Sequence, residues 1–177
     1  MNILGFKTAL GFGGSRPNQF RVSLTWPAGV GNAVETQSLL VTAASLPASN
    51  VGPTLVQYRG REVKFAGERT FDPWTITVMN DSSMDLRKRF ELWSNLINDR
   101  ITNGGVTLPA AYMADMKVEQ LSRNDVVVHS YTLRGAFPTT VSEVGLSYGA
   151  NDVISEFTVV FQYQYFTTDV ITATTDV

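Results

Sequence analysis

The stretch Ser155-Glu156-Phe157-Thr158-Val159-Val160-Phe161-Gln162-Tyr163-Gln164-Tyr165-Phe166 decides the fold class. Phe157, Val159, Phe161, Tyr163 and Tyr165 share one parity, and Thr158, Val160, Gln162 and Gln164 the other. Period-two alternation of large apolar with small or polar residues is the pattern of a half-buried β-strand. A single half-buried strand has no independent stability, so further strands must lie upstream.

They do. Gln19 to Trp26 alternates in the same way, with Phe20, Val22, Leu24 and Trp26 on one face. Arg61 to Ala66, Phe71 to Met79, Val126 to Leu133 and Ser142 to Tyr148 read as strands, and another is expected near Gln37 to Ala44. Tyr112 to Leu121 is compatible with a strand or a helix. Gly135 to Thr140 reads as a turn, because Gly and Pro punctuate it. One helix interrupts the series. Leu86, Phe90, Trp93 and Ile97 recur at helical spacing, Asn80 to Ser83 offer N-cap side chains, and Asp85 suits the positive end of the dipole. These signals predict a helix over about residues 83–98. At least seven strands with one flanking helix predict a mainly β, antiparallel barrel or sandwich, incompletely closed. The 177 residues suit a single domain, 1–177. Residues 1–18, apolar but aperiodic, read as an N-terminal arm. Residues 45–60 read as a long loop, and the Thr-rich residues 167–177 as an extended C-terminal tail.

Composition narrows the chemistry. Fourteen Lys and Arg face 16 Asp and Glu, giving a net charge of -2, so a strongly basic nucleic-acid binder is excluded. Absence of cysteine removes disulfides, thiol catalysis and Cys-ligated metals, and the single histidine removes multi-His metal sites. No cofactor is expected. No apolar run nears the ~20 residues of a membrane span, and the first residues lack the pattern of a signal peptide, so no stable membrane insertion and a cytoplasmic product are expected.

Candidate chemistry fails on context. Gly11-Phe12-Gly13-Gly14-Ser15 has the glycines of a phosphate loop but neither its preceding strand nor its lysine. His129 sits on a strand with no Gly-x-Ser-x-Gly elbow to supply a nucleophile. Asp81 and Asp85 stand where helix starts favour carboxylates, and Glu68 with Arg69 reads as a solvated or interface pair. Arg87, Lys88 and Arg89 are too few cations for strong phosphate binding. An enzyme is not expected.

The strands are also poorly protected. Gln19 to Trp26 carries one charge, while Trp74 to Asn80 and Phe157 to Phe166 carry none. Soluble monomers blunt open sheet edges with charge, so bare edges point to completion by further copies of the chain. A head-to-tail contact closes into a ring when its rotation permits.

Phe65-Ala66-Gly67-Glu68-Arg69-Thr70-Phe71-Asp72-Pro73-Trp74-Thr75-Ile76-Thr77-Val78, continuing through Asn80-Asp81, Leu86-Arg87 and Phe90-Glu91-Leu92-Trp93, resembles the tail tube proteins of contractile-tailed bacteriophages. So do Asn18-Gln19-Phe20-Arg21-Val22 before Pro27-Ala28-Gly29, the Gly135-Ala136-Phe137-Pro138-Thr139 segment and the strand from Glu156 to Phe166. The resemblance spans about residues 15 to 167. It implies a structural virion protein: hexameric rings sharing an inner β-barrel and stacking into a tube within a contractile sheath. The type VI secretion tube protein shares that architecture. The implied partners are the chain itself, the sheath, a baseplate or tube initiator, a tape measure protein and a tail terminator. Viral DNA passes without specific binding, and the tail is assembled in the host cytoplasm. The family's long early loop contacts the next ring, which places 45–60 there. Expected subunit or ring contacts are Phe6, Phe12, Leu46, Val51, Leu55, Glu68, Arg69 and Val159. Expected bore-facing residues are Thr75, Thr77, Thr158 and Gln162, the inward face being left open by the sequence. Two alternatives stand: a tube initiator, terminator or non-viral injection tube; and a tail-associated hydrolase or carbohydrate-binding β domain, which requires a concave pocket with perturbed titrating groups.

Overall fold

A computed structural model describes residues 2–11, 13–31 and 35–169, with residues 35 and 36 described by backbone alone. Phe12 and the tail beyond residue 169 lie outside the described residues. In chain order the elements are α1 (Ile3–Ala9), β1 (Phe20–Ser23), α2 (Glu35–Ser38), β2 (Val41–Ala44), β3 (Ser49–Tyr58), β4 (Arg61–Phe71), β5 (Trp74–Met79), α3 (Asp85–Ile97), α4 (Pro109–Tyr112), β6 (Ala114–Leu121), β7 (Val127–Val141), β8 (Glu156–Gln162) and β9 (Tyr165–Thr168).

All strand pairs are antiparallel, and seven strands form one open sheet in the order β1-β6-β7-β8-β5-β2, with β9 also on β7. Strands β8 and β9 lie along the same side of β7, joined through the Gln164 N–H to the Arg134 carbonyl at 3.0 Å. The first half of β7 pairs with β6 and β9, and its second half with β8. The strand bends between these halves at Gly135, whose φ of 61° favours glycine. The segment expected to be a turn is therefore a corner within one 15-residue strand. Glycine and proline there mark a bend and a register shift between Pro138 and Thr140, not a chain reversal. The corner folds one sheet into two layers, so the architecture is sandwich-like and not a closed barrel.

Between the layers lies an aromatic core. Trp74, Ile76 and Val78 of β5, Phe157, Val159 and Phe161 of β8, and Val22, Leu24 and Trp26 are buried together. Helix α3 closes this core with Leu86, Phe90 and Trp93, all fully buried; Trp26 meets Phe90 at 4.8 Å and Trp93 at 5.6 Å. The indole N–H of Trp93 is satisfied by the Tyr112 carbonyl at 2.6 Å, and that of Trp26 by Gln37 at 3.1 Å. Burial of aromatic rings with satisfied N–H groups is what makes them stabilising. The helix begins two residues later than expected. Met84 holds the cap position, but the Asp81 carboxylate accepts the Asp85 N–H at 3.0 Å. The Ser83 hydroxyl hydrogen bonds Asp81 and holds its carboxyl below the ordinary value, keeping the acceptor ionised.

Four further expectations change. Most of residues 45–60 is not loop: Ser49–Tyr58 form β3, paired with β4, and only 45–48 and the turn at 59–60 lie outside the strand. Its alternation was masked because neither face meets the core. Ser142 to Tyr148 is not a strand. Ser142 still closes the ladder, donating its N–H to the Thr158 carbonyl and accepting the Thr158 N–H on its hydroxyl, both at 2.8 Å, but the chain then leaves the sheet. The stretch at Gln37 begins helical, so β2 starts only at Val41. The arm contains α1, none of whose residues is buried.

Gly105 lies where a Cβ would fall on the Ile97 carbonyl oxygen at the end of α3. Gly105→Ala is expected to cost about 1–3 kcal/mol, as overpacking against backbone does, and to lower the melting temperature in a thermal unfolding scan.

Candidate assembly surfaces

Two sheet faces look outward, and they differ in chemistry. On the β2-β5-β8 layer the registers Thr77↔Thr158 and Thr75↔Val160 set Thr75, Thr77, Thr158 and Val160 side by side, opposite the buried parity. Gln162 continues that row against Phe137. The four residues expected to line a bore thus share one solvent-accessible face without lysine or arginine, with Glu156, opposite Met79, at its end. The outward face of the β1-β6-β7 layer is instead a lattice of ion pairs. Glu119 meets Lys117 at 2.5 Å and Arg21 at 3.6 Å, and Arg134 meets Asp115 at 2.5 Å.

The cation-free layer is bounded by unpaired edges. Strand β2 has only β5 beside it, and the second half of β7 only β8, among the described residues. Neither edge carries a charge between Val41 and Ala44 or between Phe137 and Val141. Pro138, which has no N–H to offer, sits in the second, as proline does on edge strands.

The hairpin β3–β4 projects from the same layer. Arg59 and Gly60 both have positive φ, the two-residue turn that suits hairpin twist. The pairs Thr54↔Phe65, Val56↔Val63 and Tyr58↔Arg61 place Val56, Tyr58, Val63 and Phe65 on one face, all exposed. Of the expected contacts, Leu46, Val51 and Leu55 are exposed apolar residues, and Glu68 and Arg69 are exposed on β4. Phe6 is exposed on α1, away from the hairpin residues in sequence. Val159 is a correction. Its side chain is fully buried between the layers, so it packs its own core and reaches no other copy. The period-two pattern gives its parity correctly, but a strand free of charge is not thereby exposed.

Sequence reasoning missed Val56, Tyr58 and Phe65 as contacts. The alternation of Val63 and Phe65 was visible, but nothing in it distinguishes a face turned to the core from one turned to solvent. It also missed Leu146, Tyr148, Val153 and Ile154, which stand exposed between β7 and β8. No arrangement suited to catalysis gathers among the described residues. His129 is held by Asp169 and packs edge-on against Tyr131 at 4.5 Å. The cleft beside Arg16 and Val128 and the one beside Asp99 and Pro138 hold no histidine and no pair of carboxylates.

The phage tail tube protein family model matches residues 15–169. The chain belongs to that family. It is 31% identical over 162 residues to the tail tube protein of Serratia phage KSP90, covering 89% of this chain and 92% of the relative. To tail tube protein gp19 of Enterobacteria phage T4 it is 33% identical over 156 residues, covering 86% and 90%. Among solved structures, a chain of the anti-feeding prophage baseplate aligns with a TM-score of 0.63 at 14% identity, covering 87% of this chain and 94% of that one. A chain of the sheath–tube complex of an extracellular contractile injection system aligns at 0.61 and 12% identity, covering 92% and 97%. At those identities the likeness shows a shared fold alone, while the phage relatives carry the family assignment.

Proposed function

We propose that copies of this chain close side by side into hexameric rings through β2 of one copy and the second half of β7 of the next, and that the rings stack into the inner tube of a contractile tail. The single observation that carries this is the cation-free face bounded by two unpaired, uncharged edges among the described residues. Pairing those edges satisfies their backbone groups and turns the same face inward in every copy. Thr75, Thr77, Thr158 and Gln162 then line the bore. A polyanion slides past a wall without cations, whereas the lattice of Arg21, Lys117 and Arg134 would hold it. That charged layer faces away from the bore.

The genome passes through the tube when the sheath contracts, and the chain performs no chemistry on it. Sheath, baseplate or tube initiator, tape measure protein and terminator are its partners, and the virion tail, assembled in the host cytoplasm, is its place. The relatives at 31–33% identity are tube subunits, which favours a repeating subunit over an initiator or terminator.

The hairpin carries the contact to the next ring. A two-stranded hairpin is marginal alone in water, and this one exposes apolar side chains on both faces, Leu55 on one and Val56, Val63 and Phe65 on the other. Negative-stain electron microscopy of the purified protein is expected to show hollow annuli or tubes of constant diameter. Protein that stays monomeric at high concentration overturns the proposal.

A further inference from the structure

We infer that the tip of the β3–β4 hairpin of one copy docks on the loop between β7 and β8 of a second copy, resting on the ring-stacking reading above. The two surfaces lie at opposite ends of the same layer. The hairpin leads into β5 at Trp74, which pairs with Phe161; the loop leads into β8 at Glu156, which pairs with Met79 at the far end of β5. Six residues of strand separate them, about 20 Å along the sheet. A contact between opposite poles of identical subunits is heterologous and propagates without limit, as a stack of rings requires.

The poles are complementary in charge and alike in apolar character. From Ser49 to Phe71 the hairpin carries Arg59, Arg61, Lys64 and Arg69 against Glu62 and Glu68. Lys64 lies against Glu62, whereas Arg59 and Arg61 at the tip are exposed and enter no ion pair among the described residues, Arg59 lying over the Tyr58 ring. No lysine or arginine follows Arg134 in the whole chain. The loop accordingly presents Glu143 and Asp152, with Glu156 at the first residue of β8, all exposed and in no ion pair among the described residues, beside exposed Leu146, Tyr148, Val153 and Ile154. Apolar residues bordered by unpaired carboxylates fit a partner with exposed Val56, Tyr58 and Phe65 bordered by guanidinium groups. Each ion pair is weak, but a ring engages every copy at once and multiplies the effect.

Charge reversal tests this. R59E/R61E is expected to keep the fold, judged by circular dichroism and melting temperature, and to give annuli that do not stack. The milder R59Q/R61Q is expected to raise the protein concentration at which tubes appear by about tenfold. Adding E143K/D152K to R59E/R61E is expected to restore tubes, because every interface then regains opposite charges. Tubes of normal length from R59E/R61E, or annuli that still fail to stack in the fourfold variant, overturn the docking. Wild-type protein that forms no annuli overturns the ring reading and the docking with it.

Discussion

Val159→Lys is expected to abolish folding, not merely assembly. Val159 is fully buried and sits in the ladder opposite Ile76 on one side and Val141 on the other. Phe157 and Phe161 flank it on the same face, with Phe90 of α3 ringed against both, at 6.0 and 5.9 Å. No carboxylate belongs to that cluster. An unpaired ammonium there costs several kcal/mol after relaxation, on top of the lost valine packing. A domain of this kind has about 5–15 kcal/mol in all, so most of its stability goes. The measurement is circular dichroism with sedimentation: loss of the cooperative thermal transition and aggregation of the product. A folded monomer that fails only to polymerise would return Val159 to an interface. One residue along, Val160→Lys points to the opposite face and is expected to leave the melting temperature nearly unchanged.

The contrast between those neighbours shows what sequence conveys here. Parity conveys which residues travel together, and the buried sets Trp74-Ile76-Val78 and Phe157-Val159-Phe161 follow it residue for residue. The stripe of Leu86, Phe90 and Trp93 is equally legible, because a helix lying on a core must keep one face apolar. Parity does not convey which side of a strand is wet when both sides carry apolar residues. Hence β3 lies hidden within a weakly patterned stretch, and the shared parity of Val63 and Phe65 does not tell that theirs is the hairpin's exposed face. Nor does local composition separate a corner from a turn. Gly135 supplies positive φ for either, and only its partners, Met113 and Gln164 within 3.4 Å of a would-be Cβ, show a strand bending beside another. The residues expected at the bore are legible as one shared face for a simpler reason. Thr75, Thr77, Thr158 and Gln162 lie on the polar parity of two strongly patterned strands, and those strands pair with each other.

Thr75→Lys together with Thr158→Lys is expected to convert a passive channel into a trap for DNA. Both side chains leave the core for the cation-free face, so the substitutions cost little stability, and tubes should assemble. Their effect is repeated at every copy around and along the bore. Each lysine that meets a phosphate releases condensed counterions, and the dependence of affinity on salt steepens by about one logarithmic unit per contact. Wild-type tubes should retain no duplex DNA at moderate ionic strength. Tubes of the double variant should hold it at low salt and release it steeply as salt rises, in co-sedimentation with labelled DNA. The same two substitutions placed on the charged layer, at Ser130 and Thr132, should leave DNA retention far lower when the tube ends and outer surface are shielded by sheath. Greater retention by the Ser130 and Thr132 variant than by the Thr75 and Thr158 variant within sheathed tubes would put the Thr face outside. The inversion would also require the bare edges of β2 and β7 to close with the opposite curvature, bringing Arg21, Lys117 and Arg134 against the genome, where a polyanion in transit would be slowed at every ring.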